Sequence, residues 1–200
     1  MLLRQFLHLQ LQEDTESLIS ANNLPDVIPH FNERISVYSS AVATFYAPSD
    51  ISGIGGMRRE HIRAVESWCR GAPRYDCIFI STDENAEGMR ALDVARVRLF
   101  FSFTYSNVFY PCALVQWFSR VGDEPDEDTG MWMVEPDLND DGSPHIAVIH
   151  LDAVMRAAHL LGVYGDAFLP KEMSFTSSLD AFYMFYVNKF IDHHAFQIAF

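Results

Sequence analysis

The sequence lacks most of the features that would mark a membrane protein, a disulfide scaffold or a familiar enzyme. No apolar run reaches the ~18 residues that a membrane-spanning helix needs. The three cysteines, Cys69, Cys77 and Cys112, are an odd number without a CxxC pair. We therefore expect neither a disulfide framework nor a zinc site, and we predict a reducing, intracellular environment. The motifs GxSxG and GxGxxG are also absent, as is the Lys-Ser/Thr of a phosphate loop, so no compact catalytic motif is present.

Basic residues are scarce as well. The chain has 14 lysines and arginines against 27 acidic residues, which gives a formal net charge of −13. A surface of this kind repels phosphate backbones, so sequence-independent DNA binding by the whole chain is disfavoured. Arginines nevertheless crowd residues 58–98. If the chain contacts DNA, we predict that it uses Arg58, Arg59, Arg63, Arg96 and Arg98. The alternative is that these arginines are solvated and pair with the excess acid.

Apolar residues are abundant, at 49% of the chain, which is typical of a globular protein with a core. Residues 95–118 form the most apolar stretch and predict two long strands, 97–105 and 108–118, joined by a turn at Ser106 and Asn107. A long hairpin is not stable alone in water and needs further strands or a helix over its apolar face. We expect the rest of the chain to supply them.

The remaining pattern predicts an α+β fold, namely a small, bent antiparallel β-barrel of the SH3 or BAH type with N- and C-terminal helices packed on it. Residues 1–72 are expected to supply an N-terminal core helix, a strand, a glycine turn and a second helix at 57–68. The barrel itself is expected at 73–166, with a helical turn at 151–158 and a last strand at 159–164. Residues 167–200 are expected to form a helical segment, capped by Ser177 or Ser178.

Two loops have the composition of ligand sites but are better explained as turns. The stretch DLNDDG from Asp137 matches the opening of a calcium-binding EF-hand loop. However, the position of the bidentate acid is occupied by Val148 and the flanks are strand-like. The glycine cluster SGIGG also predicts a turn, because its spacing fits no phosphate-binding motif.

Two other groups of residues are candidates for binding sites. Tyr110, Trp117 and Trp132 lie on or beside predicted strands and could form an aromatic cage for a methylated lysine; the alternative is that they are core residues. Six side chains are of metal-ligand type, although the sequence does not bring them together and structural roles are expected. They are His150, Asp152, His159, Asp192, His193 and His194.

Several sequence blocks, taken in order, carry a family resemblance. They are FYAPSD, SGIGGMRREHIRAV and RYDCIFI, then ARVRLFFSF, YPCALVQWF and PDEDTGMW, then VIHLDAVMRAAHLLGVYG and SLDAFYMFYVNKFIDHH. In this order they resemble the C-terminal region of fungal transposase-like proteins, the plavaka/KDZ-type DNA transposons related to the CACTA group. The resemblance covers about residues 6–194. It implies that DNA cleavage belongs to an RNase H-like domain upstream of this chain, so no catalytic residue is carried over.

The resemblance therefore implies a non-catalytic accessory domain of a transposon-derived protein, a truncated tail located in the nucleus. Its expected partner is a protein or the upstream transposase domain, with DNA contacted weakly or within a larger assembly. Neither a cofactor nor a membrane is expected. Two alternatives stay open, a free-standing chromatin or peptide reader that uses the aromatic cage and a metal-dependent hydrolase remnant that uses the His and Asp groups.

Overall fold

The structure is a computed structural model that describes residues 1–16, 29–49, 53–164, 171, 173–174 and 177–200. Three helices lie in this part of the chain, α1 (Leu2–Glu16), α2 (Ser178–Ala181) and α3 (His193–Ile198), with short 3-10 helices at Gly88–Ala91 and Leu151–Ala153. The strands are β1 (Ser36–Tyr38), β2 (Ser40–Tyr46), β3 (Met57–Val65), β4 (Arg74–Tyr75), β5 (Cys77–Ser81), β6 (Leu92–Tyr105), β7 (Val108–Val121), β8 (Met133–Pro136), β9 (Ile146–His150), β10 (Val154–Ala158), β11 (Leu160–Gly162) and β12 (Phe185–Val187).

The predicted central hairpin is confirmed as β6 and β7, each of which has 14 residues. Ser106 and Asn107 form its turn with φ values of 48° and 67°. Two successive left-handed residues give the type I′ geometry, which matches the natural twist of the flanking strands. The pairing of β6 with β7 shifts register between Val97 and Leu99, so Arg98 lies at a β-bulge.

The base of this hairpin belongs to a nearly closed antiparallel barrel of seven strands, in the order β10-β5-β6-β7-β8-β12-β11. The two ends of that order, β10 and β11, follow each other in the chain with only His159 between them. The carbonyl of His159 accepts a hydrogen bond from the Asn188 backbone N–H at 2.8 Å. The predicted α+β fold with a small bent antiparallel barrel is therefore confirmed, while the likeness to SH3 or BAH domains stays a prediction.

The tip of the hairpin extends beyond the barrel and carries a second set of neighbours. Strand β1 pairs with the distal half of β6, and β9 pairs with the distal half of β7. Helix α1 packs over this part of the sheet through Phe6 and Leu7, which are 7% and 0% exposed. The predicted N-terminal helix is confirmed, but Leu9 is 58% exposed and does not belong to the buried face.

Residues of the hairpin alternate between separate apolar cores, because its strands are covered on both faces. Phe79, Val94 and Phe118 belong to the core inside the barrel, which also holds Trp132. The residues that point the other way, such as Ile78, Ala95 and Val115, pack against β2 and β3. A third core lies under α1, at the hairpin tip. This burial on both faces explains why apolar residues follow one another in β5 instead of alternating with polar ones.

The helix predicted at 57–68 is wrong, because this segment contains β3. Its side chains alternate in burial from Arg58 to Val65, and seven residue pairs from Ser40↔Arg63 to Tyr46↔Met57 join it to β2. Ile62 and Val65 share a helical spacing, which suggested the helix. In the structure Ile62 and Ala64 face the core behind the hairpin instead. Pairing with β2 and burial at alternate positions thus override the local pattern.

The predicted C-terminal helix is also largely wrong. Among the described residues of 167–200, two short helices form, Ser178–Ala181 and His193–Ile198, and the chain between them forms β12 at Phe185–Val187. Phe185 and Val187 are each 1% exposed and complete the core inside the barrel. The side chain of Ser177 makes no capping hydrogen bond to the first of these helices. At 151–158 the predicted helical turn is confined to Leu151–Ala153, because Val154–Ala158 is strand β10.

Both loops of ligand-like composition are turns, as predicted. Gly55 and Gly56 have φ values of 62° and 77° in the connection between β2 and β3. In the acidic loop Asp141 accepts hydrogen bonds from the backbone N–H and the hydroxyl of Ser143. Within the described ranges no helix combines the length and apolar character needed to cross a membrane. The predicted division at 72/73 and 166/167 stays a prediction.

Candidate functional site

The interior of the barrel changes from apolar to polar along strand β6. Val94 pairs with Phe79 on one side and Phe118 on the other, and all three lie in the barrel core. Two residues further on, Arg96 pairs with Cys77 and Gln116. Side chains two apart on a strand share a face, so this second row also points into the barrel. We call it the barrel mouth, defined by Cys77, Arg96 and Gln116, which are 4%, 7% and 8% exposed.

Arg96 forms an ion pair with a residue far along the chain. Its Nη1 donates to Oδ1 of Asp180 at 2.6 Å, and its Nη2 donates to Oδ2 at 3.4 Å. The two partners differ in exposure, because the Arg96 side chain is 8% exposed and the Asp180 side chain is 58% exposed. The buried Nε of Arg96 makes no hydrogen bond in the described part of the chain. A buried cation is therefore neutralised by a carboxylate that remains largely in water.

Arg98 places a second guanidinium at the barrel mouth. Its Nε donates to Oε1 of Gln116 at 3.1 Å, and its Nη2 donates to the same oxygen. The guanidinium carbons of Arg96 and Arg98 lie 5.8 and 5.6 Å from the ring centroid of Tyr75, within the range of cation–π contacts. Burial, and then the neighbouring Arg96 charge, lower the pKa of Arg98. Two positive groups thus share one aromatic ring and one nearby carboxylate.

A cleft adjoins the barrel mouth. Cys77 lines both of them, and Tyr75, whose ring lies near Arg96 and Arg98, also lines the cleft. Its volume is about 490 Å³, and it lies between β3, β4, β10 and the segments that contain α2 and Asp192. Leu160 and Leu179 contribute apolar surface to it. Its charged lining residues are Arg58, Glu60, Arg74, Asp76, Arg156 and Asp192.

Arg156 forms a second ionic cluster at this cleft. It donates two hydrogen bonds to the Asp192 carboxylate, at 2.6 and 2.8 Å, and its Nε lies 3.6 Å from Oε2 of Glu60. The guanidinium carbon also lies 4.7 Å from the centroid of the Phe45 ring, which stacks on His194 at 4.6 Å. Arg156 is 2% exposed. This cluster therefore joins β3, β10 and the start of α3.

The titration behaviour of the cluster follows from these contacts. The hydrogen bonds from Arg156 lower the pKa of Asp192 to about 2. The backbone N–H of Ala195, which donates to Asp192 at 2.7 Å, contributes to the same shift. Burial and the Arg156 charge lower the pKa of His194. At neutral pH the cluster therefore combines a charged arginine, a charged Asp192 and a neutral His194.

The charges around the cleft and the barrel mouth nearly balance, with a slight basic excess, whereas the whole chain is strongly acidic. Five of the 14 lysines and arginines of the chain border the cleft or the barrel mouth. Of the 27 acidic residues, four have a carboxylate identified in the same region. The basic residues are Arg58, Arg74, Arg96, Arg98 and Arg156, and the carboxylates are those of Glu60, Asp76, Asp180 and Asp192. Basic side chains are thus concentrated here, on a chain that is otherwise strongly acidic.

The five arginines predicted to contact DNA do not share one surface. Arg58 lines the cleft, and Arg96 and Arg98 lie at the barrel mouth. Arg59 is exposed and alternates with Arg58 along β3, so it points to the opposite side. The guanidinium of Arg63 lies 4.3 Å from the centroid of the Trp68 ring.

The three aromatic residues of the predicted cage lie in separate environments. Trp132 is in the barrel core and donates from Nε1 to the carbonyl of Phe200 at 3.2 Å. Tyr110 is buried in the core under α1, and Trp117 packs against the core behind the hairpin. The structure therefore places these three rings in three different cores and does not bring them together.

The six metal-type residues are also dispersed among other contacts. Asp192 and His194 belong to the Arg156 cluster, whereas His150 pairs with Asp152 at 3.3 Å. His159 contacts the amide of Asn188 at 3.1 Å. A search of the described residues finds no group of three or more His, Cys, Asp or Glu side chains that could hold a metal ion.

No protein-family model matches this chain, and comparisons with curated proteins and with solved structures give no match. The relationship to transposase-like proteins therefore stays a prediction.

Sequence reasoning missed several residues of the site, namely Glu60, Tyr75, Gln116, Arg156 and Asp180. One signal was available, because Arg96 occupies the same alternating position as the apolar residues Leu92 and Val94. An arginine at an inward position requires a partner. The sequence carries no sign that this partner is Asp180, which lies 84 residues away.

Proposed function

We propose that this chain is a non-catalytic interaction domain that binds an acidic segment of a partner protein along the cleft. The observation that carries the proposal is the concentration of five arginines at the cleft and the barrel mouth, on a chain with a net charge of −13. A local excess of one charge attracts ligands of the opposite charge. Here it would also orient them, because the rest of the surface repels acidic molecules.

The chemistry of the cleft favours carboxylates. Each ion pair at Arg74, Arg96 and Arg156 is made with an aspartate or glutamate carboxylate, and the fork of a guanidinium matches a carboxylate in two parallel hydrogen bonds. The volume of about 490 Å³ lies within the usual range of ligand-binding clefts. Leu160 and Leu179 offer apolar contact beside the charges, which suits a peptide better than a bare ion.

The sequence blocks that resemble fungal transposase-like proteins support a further element of the proposal. The domain would belong to a transposon-derived assembly in the nucleus, in which another domain carries out DNA cleavage. Its acidic partner would then be a segment of that assembly. DNA is the less favoured ligand, because Arg59 and Arg63 are not among the residues that line the cleft and the overall charge repels phosphates.

The test compares a labelled acidic peptide, acetyl-Gly-Glu-Leu-Glu-Gly-amide, with its Gln-for-Glu counterpart and with a short duplex DNA. We expect the acidic peptide to bind in preference to the other two, and more weakly as the salt concentration is raised. The double variant Arg58→Gln/Arg74→Gln should weaken peptide binding about fivefold or more. Fluorescence anisotropy on the purified chain measures all of these affinities.

A matched control is Arg34→Gln/Arg90→Gln, which removes the same charge from two exposed arginines that do not line the cleft. This control should bind as the unmodified chain does. Equal binding of the acidic and Gln-containing peptides would contradict the proposal. Preferential binding of DNA would also contradict it, and would favour the alternative of a DNA contact within a larger assembly.

A further inference from the structure

At the barrel mouth two guanidiniums lie close together, and one of them is paired with a carboxylate. Arg96 is paired with Asp180, and Arg98 contacts Gln116, a neutral side chain. The two arginines lie over the same Tyr75 ring, and the positive charge of Arg96 helps to lower the pKa of Arg98. A carboxylate placed between the two guanidiniums, rather than at Arg96 alone, would relieve that repulsion.

The donor capacity of Arg96 is also incompletely used. Its side chain is more than nine-tenths buried, yet its Nε makes no hydrogen bond within the described residues. An unmatched buried donor is costly, and such groups in folded proteins call for an explanation. A ligand oxygen placed along the Nε edge of Arg96, which neither Asp180 oxygen reaches, would supply the missing acceptor.

Asp180 is held in a way that allows replacement. Its side chain is 58% exposed, so it returns to water with little change in its solvation. It lies on α2, which is only four residues long and has no fully buried side chain. A solvated carboxylate gains little free energy from an ion pair, typically about 1 kcal/mol or less.

We propose that Arg96, Arg98, Gln116 and Tyr75 form a carboxylate-binding site at the barrel mouth, and that Asp180 occupies it as an internal competitor. The external ligand is a glutamate or aspartate side chain of a partner peptide. This inference rests on the proposed function and deepens it, because it names the group that is recognised and the residue that limits its binding.

The inference predicts that removal of the internal carboxylate improves binding. The apparent affinity for a ligand falls when Asp180 occupies the site in a fraction of the molecules. It recovers when the competing carboxylate is removed. Asp180→Asn retains the size of the side chain and removes its charge. We expect this variant to bind acetyl-Gly-Glu-Leu-Glu-Gly-amide about fivefold or more tightly than the unmodified chain does.

The matched control is Asp140→Asn, which removes the same charge from an exposed position in the acidic loop. It should leave the affinity unchanged and so exclude a general effect of net charge. Addition of Arg98→Gln to Asp180→Asn should abolish the gain. Circular dichroism and thermal unfolding of each variant establish that it is folded before binding is measured.

Three outcomes would overturn the inference. If Asp180→Asn and Asp140→Asn bind the peptide equally, Asp180 is not a competitor. In that case the proposed function still stands if Arg58→Gln/Arg74→Gln weakens binding. If neither the unmodified chain nor any variant binds the acidic peptide, both the inference and the proposed function fail. If inorganic phosphate displaces the peptide from Asp180→Asn at lower concentration than succinate does, the site recognises phosphate and the assignment to a carboxylate is wrong.

Discussion

Two buried arginines, Arg156 and Arg96, lie near the same cleft and are held in different ways. Arg156 is paired with Asp192 and Glu60, whose side chains are only 18% and 24% exposed. Arg96 is paired with Asp180 alone, and that side chain is 58% exposed. Both arginines have an Nε without a hydrogen bond in the described part of the chain, so the difference lies in their partners.

The comparison separates a structural ion cluster from a binding site. Loss of one partner of a buried ion pair leaves an uncompensated charge, which is strongly destabilising. The partners of Arg156 are withdrawn from water and depend on it, and Asp192 also caps α3 by accepting from the Ala195 N–H. Asp180 remains solvated and does not depend on Arg96 in this way. A ligand can therefore replace Asp180 at small cost, whereas it cannot replace Asp192.

The largest expected effect is that of Arg156→Ala. This change leaves the carboxylates of Asp192 and Glu60 partly buried without their cation, so we expect the free energy of unfolding to fall by about 3–5 kcal/mol. Urea denaturation measures it. The triple variant Arg156→Met/Asp192→Asn/Glu60→Gln removes the unpaired charges and should recover much of the loss. A loss below about 1 kcal/mol in Arg156→Ala would mean that the cluster is not structural.

A smaller effect, with a defined pH dependence, is expected for Asp192→Asn. The loss of charged hydrogen bonds should cost roughly 1–3 kcal/mol at neutral pH. The pKa of Asp192 is lowered from 3.8 to about 2 in the folded chain. Its contribution is therefore fully present above the unfolded pKa of 3.8 and disappears as the pH falls toward 2.

Urea denaturation at a series of pH values tests this second prediction. The difference in unfolding free energy between the unmodified chain and Asp192→Asn should be constant from neutral pH to just above 4 and should shrink below that. A difference that stays constant down to pH 2 would show that the carboxylate of Asp192 does not carry the effect.

The smallest expected effect on stability is that of Asp180→Asn, at about 1 kcal/mol, because the Asp180 side chain is 58% exposed and Asn keeps an oxygen that can accept from the buried Arg96. The same urea titration measures it, with Asp140→Asn as the matched change of charge. If Asp180→Asn were as destabilising as Asp192→Asn, both carboxylates would be structural partners of their arginines. Asp180 would then not be exchangeable.

Much of the fold follows from local pattern, and the exceptions have physical causes. Ser106 and Asn107 between two apolar runs predicted the central hairpin correctly, because turn chemistry and strand pattern agree there. The segment around Ile62 was misread as a helix, since its pairing with β2 is not visible in its own residues. Phe185 and Val187 were misread for the same reason, because the barrel wall they complete is built from distant strands.

The candidate site was less predictable than the fold. Arg58, Arg96 and Arg98 were chosen because arginines crowd that part of the sequence, and the structure places all three at the cleft or the barrel mouth. The carboxylate partner of Arg96 comes from a different part of the chain. The pairing of Arg96 with Asp180 depends on how the barrel closes, and no spacing rule connects residues that are 84 positions apart.

The central claim is that the carboxylate at Arg96 is exchangeable and the one at Arg156 is not. Nitrogen-15 NMR of the Nε–H groups of Arg96, Arg98 and Arg156, assigned by mutation, tests this claim directly during titration with acetyl-Gly-Glu-Leu-Glu-Gly-amide. We predict that the Nε–H signals of Arg96 and Arg98 shift and that the Arg156 signal does not. A shift confined to Arg156, or no shift at Arg96 while the peptide binds, would contradict the account.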